Sequence, residues 1–297
     1  MQPSRRFFLF GRGRAGSGQW GRFCQRLRVV CAGRFDEGGT REPAQAWLAP
    51  ARFTDVLHAR ALCEEYGVRL ALAGQGTNEP PTHSTLWVDP GLALNAAEPL
   101  QDRQGFWRVE AGCAIGQLQA AGFAQFDGVS GAQTVAAWLS GPDTRGTCLP
   151  GRCLDSGVAA VEVLLADGSR ATLGPFGERD SQPLRSATLQ RLVPALFELA
   201  MEADTETCLN QAVWRAHGRL DALRPRAPAG INLAHLLLGQ AGSFAWAESL
   251  LLVSRERREI AALQHANADA DAAASRIQSR CKALFDPQGL FPPLPSG

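Results

Sequence analysis

The stretch Leu70 to Asn78, LALAGQGTN, constrains this chain more than any other: an alternating apolar run breaks into a loop with glycines at Gly74 and Gly76 and a hydroxyl at Thr77. Two positions without a Cβ let backbone approach an anion closely and aim several N–H groups at it, and the threonine adds a further donor. An ordinary tight turn after a strand has the same composition, so the loop is read with its neighbours. Thr54, Asp55, Val56 and Leu57 open a helix that runs through Leu62 and Cys63 and stops at Gly67. Thr85 to Val88 reads as a short strand, FWRVEAG at 106–112 as another, and Ile115 to Ala121 as a short helix. Further on, VEVLLADGSRATL at 161–173 is a hairpin hinged on Asp167 and Gly168, residues that accept the positive φ values of a two-residue turn. The segment INLAHLLLGQAGSF at 231–244 carries a second small-residue turn at Gly239 and Gly242.

In this order the motifs resemble the FAD-binding domain of the family that includes vanillyl-alcohol oxidase, p-cresol methylhydroxylase, D-lactate dehydrogenase and the FAD-binding subunits of glycolate oxidase. Ala73, Gly74, Gln75, Gly76 and Thr77 stand where that family has its R-G-G-G-T-like pyrophosphate loop. Val109, Ala111, Gly112, Gly116 and Leu118 match its V-x-A-G-x-x-x-G-x-L turn. Thr134, then Ser140, Gly141 and Pro142, then Gly151 and Asp155 are similar to the glycine-rich stretch ahead of its GLEVVLADG strand. LLLGQAGSFAWAESLL at 236–251 echoes LLVGSEGTLGIVTEATL, and Phe285, Asp286, Pro287 and Gly289 fit the C-terminal FDPxGxxNPG signature. The resemblance implies an α+β, two-lobed FAD-binding PCMH-type fold over 46–253 with a C-terminal helical extension over 254–297. It places the FAD contacts on Gly74, Gln75, Gly76, Thr77, Asn78, Thr134, Ser140, Gly141, Asp155, Gly239 and Gly242.

Several positions depart from that pattern. Ala73 and Gln75 replace an arginine and a glycine of the first loop, and Ala136 and Ala137 replace paired glycines that let backbone lie against the cofactor. Trp138 beside them is large enough to fill the cavity. Leu154 precedes Asp155 where the family has arginine, and Arg152 is displaced by two positions. Between the late turn and the C-terminal signature the family places a substrate domain. Here the interval is helical, with Ile260, Leu263, Ala270, Ala274, Ile277, Cys281 and Leu284 forming one packing stripe. His265 within it reads as a surface residue, and no H-x-G-D-G-N-x-H-like segment is present. The resemblance therefore implies a FAD-binding subunit of a 2-hydroxy-acid oxidoreductase of glycolate or lactate type. A catalytic FAD-linked oxidase subunit, an iron–sulfur subunit, or both would complete it.

With 297 residues, 45% of them hydrophobic, the chain can bury a sizeable core, and a formal charge of +1 gives no global drive towards nucleic acid or an anionic membrane. Positive charge is instead local: eight arginines precede Asp36, so residues 1–45 read as a basic arm. Ser4, Arg5, Arg6, Phe8 and Leu9 resemble a twin-arginine export signal, but the polar, charged GRGRAGSGQWGRFCQRL that follows lacks an apolar region and favours a docking or disordered arm. The expected location is cytoplasmic, with any contact to the inner membrane made through a partner. None of the eight cysteines forms a C-x-x-C pair, which points to small buried residues in a reduced compartment and no metal site. RAHGRLDALRPRAPAG at 215–230, which holds His217 and precedes His235, reads as a solvated connector. Two other classes stay open: a non-catalytic scaffold that kept the fold and lost the flavin, and, more weakly, an RNA-binding protein using the arm.

Overall fold

The computed structural model describes residues 18–38, 43–74, 82–142, 144, 148–177, 184–256 and 267–295. These form two sheets flanked by helices, an α+β architecture. The first sheet is built from β1 (Arg34–Glu37), β2 (Gln45–Ala49), β3 (Arg69–Leu72) and β4 (Thr85–Val88), in the order β1-β2-β4-β3. β2, β4 and β3 run parallel, and β1 closes one edge antiparallel to β2.

Parallel strands of one sheet need a crossover, and α2 (Phe53–Tyr66) carries the chain from β2 to β3, leaving the place between them for β4. Its Val56, Ala59, Leu62 and Cys63 recur on one face and are buried. Gly67, at φ 64°, ends the helix as expected, and the Val68 amide returns to the Cys63 carbonyl.

The basic-arm reading needs correction over much of its length. Residues 1–17 lie outside the described residues, but α1 (Gln19–Val30) is a packed helix whose Phe23, Cys24 and Leu27 enter the first core. Its exposed Arg26 and Arg28 pair with Glu65 and Glu37. Since β1 pairs with β2, the boundary drawn at residue 45 falls inside the first sheet.

The second sheet is fully antiparallel and contains β5 (Ala97–Pro99), β6 (Phe106–Glu110), β7 (Val158–Leu164), β8 (Arg170–Leu173) and β9 (Trp246–Val253), in the order β5-β6-β9-β7-β8. The expected hairpin is β7–β8, but its turn differs. Leu165 N–H donates to Ser169 and Gly168 N–H to Leu165, leaving a three-residue turn in which Gly168, at φ 84°, alone adopts positive φ. Asp167 instead accepts the Ser169 amide through Oδ1.

α3 (Ile115–Ala120), α4 (Val135–Ser140), α5 (Ala187–Ala200), α6 (Ala203–Leu209) and α7 (Ala268–Phe285) contribute to the second core. In α7 the expected stripe is present at Ala270, Ala274, Ile277 and Cys281, whereas Ile260, Leu263 and His265 lie outside the described residues. All eight cysteines are buried and free.

After α7 the chain returns to the first lobe. Asp286 accepts the Leu290 and Phe291 amides and the Lys282 ammonium, and the Leu290 carbonyl takes the Leu70 amide at the edge of β3. Leu290 and Phe291 thereby join the first core. Arg60 of α2 also ties the lobes by donating to the Ala166 carbonyl of the β7–β8 turn. Ala111, Ala136, Ala137, Leu164 and Trp246 complete the apolar contact between the two sheets.

Candidate functional site

The first glycine loop leaves the carboxyl ends of the parallel strands, where ligands of open α/β sheets bind. Ala73 N–H still pairs with Val88, and Gly74 then turns to φ 80° with open space where a Cβ would stand. Gln75, Gly76, Thr77 and Asn78 lie outside the described residues. Beside this exit, Asp89 accepts the Gly91 amide at 2.9 Å. A Cβ on Gly91 would lie 3.7 Å from the Thr134 methyl, so the strand ends abut the start of α4.

Thr134 caps α4, its hydroxyl accepting the Ala137 amide at 3.2 Å. All six residues of α4 are buried. Val135, Trp138 and Leu139 face the second core, while Ala136 and Ala137 face the first. At its other end, Leu139 and Ser140 offer carbonyls that no residue of a six-residue helix can satisfy. The late turn fills that role: Gly239 N–H donates to Leu139 at 2.7 Å and Ala241 N–H to Ser140 at 2.8 Å. Gly239, Ala241 and Gly242 all have positive φ, 69°, 58° and 66°. Buried Gln240 pins this shape by accepting the Phe244 and Ala245 amides and donating to the Ala245 carbonyl.

Thr134, Ser140, Gly141, Gly239 and Gly242 therefore lie along one seam between the lobes, with Gly74 at the strand ends beside it. Asp155 is placed on a different feature, the 3-10 turn Cys153–Ser156, where Arg152 stands 3.4 Å away.

The seam's fit to a flavin is divided. The first-turn amides of α4 are already engaged, Val135 with Cys113, Ala136 with Ala111 and Ala137 with Thr134. The methyls that replace the paired glycines are packed into the first core. Trp138 packs edge-on against Phe126, centroids 4.8 Å apart, and so belongs to the second core. The indole N–H groups of Trp138 and of Trp246 are buried without a partner. Along this seam α4 offers an apolar wall with its first-turn donors already spent.

The supposed connector is exposed over 226–228 and at Gly230, but its first half, from His217 to Leu223, is buried. Arg219 and Asp221 are fully buried and form a bidentate pair at 2.8 and 2.7 Å. Arg219 also donates to the Cys148 and Leu149 carbonyls, and Asp221 accepts the Gly151 amide at 2.7 Å. Burial alone would lower the Arg219 pKa, but the adjacent Asp221 carboxylate holds it above its ordinary value. Burial also pushes the Cys153 thiol well up and pulls His235 down to about 4. His235 Nε2 lies 2.8 Å from the Val158 carbonyl and donates to it as the neutral Nε2–H tautomer. This network fixes the 148–157 segment ahead of β7. The Arg-x-Asp spacing at 219–221 was its one sequence signal.

Among the described residues no group of three or more His, Cys, Asp or Glu is placed to hold a metal, and no helix is long and apolar enough to cross a membrane. No protein-family model and no curated protein matches the chain. Among solved structures it is similar to the isoeugenol complex of 4-ethylphenol oxidase from Gulosibacter chungangensis, at 14% identity and a TM-score of 0.49, over 80% of this chain and 43% of that one. It is also similar to carbohydrate oxidase from Microdochium nivale, at 11% identity and a TM-score of 0.43, over 78% of this chain and 43% of that one. A third is glucooligosaccharide oxidase from Acremonium strictum, with a 6-S-cysteinyl, 8α-N1-histidyl FAD, at 16% identity and a TM-score of 0.39, over 72% and 35%. The chain spans less than half the length of each. These structural neighbours are FAD-binding flavoenzymes of the vanillyl-alcohol oxidase type, at low identity and over part of their length.

Proposed function

We propose that the chain is the FAD-binding component of an oxidoreductase. The observation that supports this most is the convergence of a glycine loop, at the carboxyl ends of three parallel strands, with the capped start of α4 at the junction of the two lobes. On this reading Gly74, Gln75, Gly76, Thr77 and Asn78 hold the pyrophosphate through backbone N–H groups and the threonine hydroxyl. Thr134, Ser140, Gly141, Gly239 and Gly242 line the rest of the molecule, and Asp155 steadies the approach to β7. FAD, when bound, supplies two-electron acceptance, and the protein supplies orientation and exclusion of water.

The substrate class we favour is 2-hydroxy acids of the glycolate or lactate type, with substrate groups contributed by a catalytic FAD-linked oxidase subunit and electrons passed to an iron–sulfur subunit. The site of action is the cytoplasm, with any approach to the inner membrane made through those partners. A second reading, a scaffold that has lost the flavin, is favoured by the packed Ala136 and Ala137 methyls and the engaged α4 amides.

Flavin uptake by the parent chain separates the two, and replacing Gly76 by valine tests the loop. Loss of flavin with an unchanged far-ultraviolet circular dichroism spectrum supports the first reading, and undiminished flavin in the variant removes the loop from the site. Steady-state assays of the flavin-loaded chain with glycolate and lactate and an artificial electron acceptor test the subunit role. Negligible turnover alone and turnover on adding the partners are expected, whereas robust turnover by the chain alone contradicts it.

A further inference from the structure

A cavity of about 540 Å³ opens against β6, β7, β8 and β9, and none of the described residues of the candidate site lines it. The volume is within the range of small-molecule sites. Leu154, Leu184, Leu233 and Leu251 give it apolar walls. Its inner polar groups are already satisfied. Asn232 donates to the Ala159 carbonyl and accepts the Ala234 amide, and Glu162 accepts from Ser249 and pairs with Arg108 at 2.7 Å.

The lining holds three guanidinium groups, Arg103, Arg108 and Arg255, against one carboxylate, Glu162, so two cations are in excess. Arg108 is the one that pairs with Glu162, and among the described residues Arg103 and Arg255 have no carboxylate within ion-pair distance. Both stand at the same end of the sheet. Phe106 pairs with Val253 in the β6–β9 ladder, and Arg103 precedes the first by three residues while Arg255 follows the second by two. Arg103 rests over the Phe106 ring, 6.0 Å from its centroid, and the Arg255 stem passes Gly157.

We propose that this cavity binds a small organic monocarboxylate with an apolar body, its head between Arg103 and Arg255 and its body along the leucine walls. A planar guanidinium fork matches a carboxylate, and apolar walls reject a compact, fully hydrated dianion. Neither the cavity nor its arginines belong to the flavin seam, so the site is independent of whether the chain binds FAD.

The test is calorimetric titration of the full chain with sodium octanoate, octan-1-ol and octylammonium chloride. Saturable octanoate binding, tighter than that of the alcohol or the amine, is expected. The double substitution Arg103→Ala and Arg255→Ala should weaken octanoate about fivefold, as for exposed ion pairs, and leave octanol unchanged. Gly174→Phe should weaken both, because Gly174 lines the cavity and a Cβ there meets only the Ala160 methyl at 3.5 Å and the Ala159 carbonyl at 3.9 Å. Absence of saturable octanoate binding, octanoate no tighter than octanol, or indifference to either variant would overturn the proposal.

Discussion

Replacing Asp286 by alanine removes the acceptor that turns the chain from α7 back to the first lobe. In the parent, a carboxylate with a fully buried side chain receives the Leu290 amide at 2.9 Å, the Phe291 amide at 2.8 Å and the Lys282 ammonium, itself only 16% exposed. Without it a nearly buried cation loses its counter-charge, a change that costs about 3–5 kcal/mol in buried pairs. Lys282 retains bonds to the Ser243 and Phe291 carbonyls, which hold the figure within that range. At roughly 2–3 °C per kcal/mol for a chain of this size, the melting temperature should fall by roughly 6–15 °C. Asp286→Asn keeps one acceptor and should fall between parent and alanine variant. The loss has a local signature as well. Leu290 anchors its carbonyl to the Leu70 amide at 2.9 Å, so hydrogen exchange at Leu70 should accelerate more in the variant than exchange in the β7–β9 ladder. A destabilisation below about 1 kcal/mol, or uniform acceleration across both sheets, would refute the reasoning.

Two further outcomes follow from buried groups. His235 is neutral in the fold with its pKa pulled to about 4 by burial, so below its unfolded value of 6.5 the unfolded chain takes the proton first. Its contribution is complete above that value and is lost as pH falls towards 4, at about 1.4 kcal/mol per unit and roughly 3 kcal/mol in all. Denaturant titrations of parent and His235→Gln between these values should show a shallower slope in the variant, and parallel slopes would contradict it. Gly218→Ala places a Cβ 2.3 Å from a Phe244 ring carbon at φ 71°, and should cost about 2–4 kcal/mol from the left-handed backbone and overpacking together. Phe244 stacks on Phe285 with ring centroids 5.0 Å apart, and a stability within about 0.5 kcal/mol of the parent would show that this stack yields freely.

Local chemistry made much of the fold legible. Gly67 stopping α2, the Thr85–Val88 strand and the β7–β8 hairpin each follow from a few adjacent residues. Where the reading failed, a distant partner decided the outcome. Arginines dominate the amino-terminal segment and hid the Phe23, Cys24 and Leu27 stripe that α2 receives. Arg219 and Asp221 look solvated in sequence because the carbonyls and amide that satisfy them come from residues 148–151, about seventy positions earlier. Helix α5 had local signals of its own, the Ser186 cap and a buried face of Leu189, Leu192, Val193 and Leu196, but Pro194 within it reads as a break. At the candidate site the glycine turns were legible because positive φ demands them, yet Ala241 adopts φ 58° under the restraint of Gln240, which no local signal announced.

Titration of flavin-free protein with FAD, followed by quenching of flavin fluorescence and by the change in its visible spectrum, tests the central claim most directly. The account predicts saturable uptake of one FAD per chain, abolished by Gly76→Val with the fold retained. Absence of uptake by a folded parent chain would contradict it and leave the packed alanines of α4 as the mark of a fold that has given up its flavin.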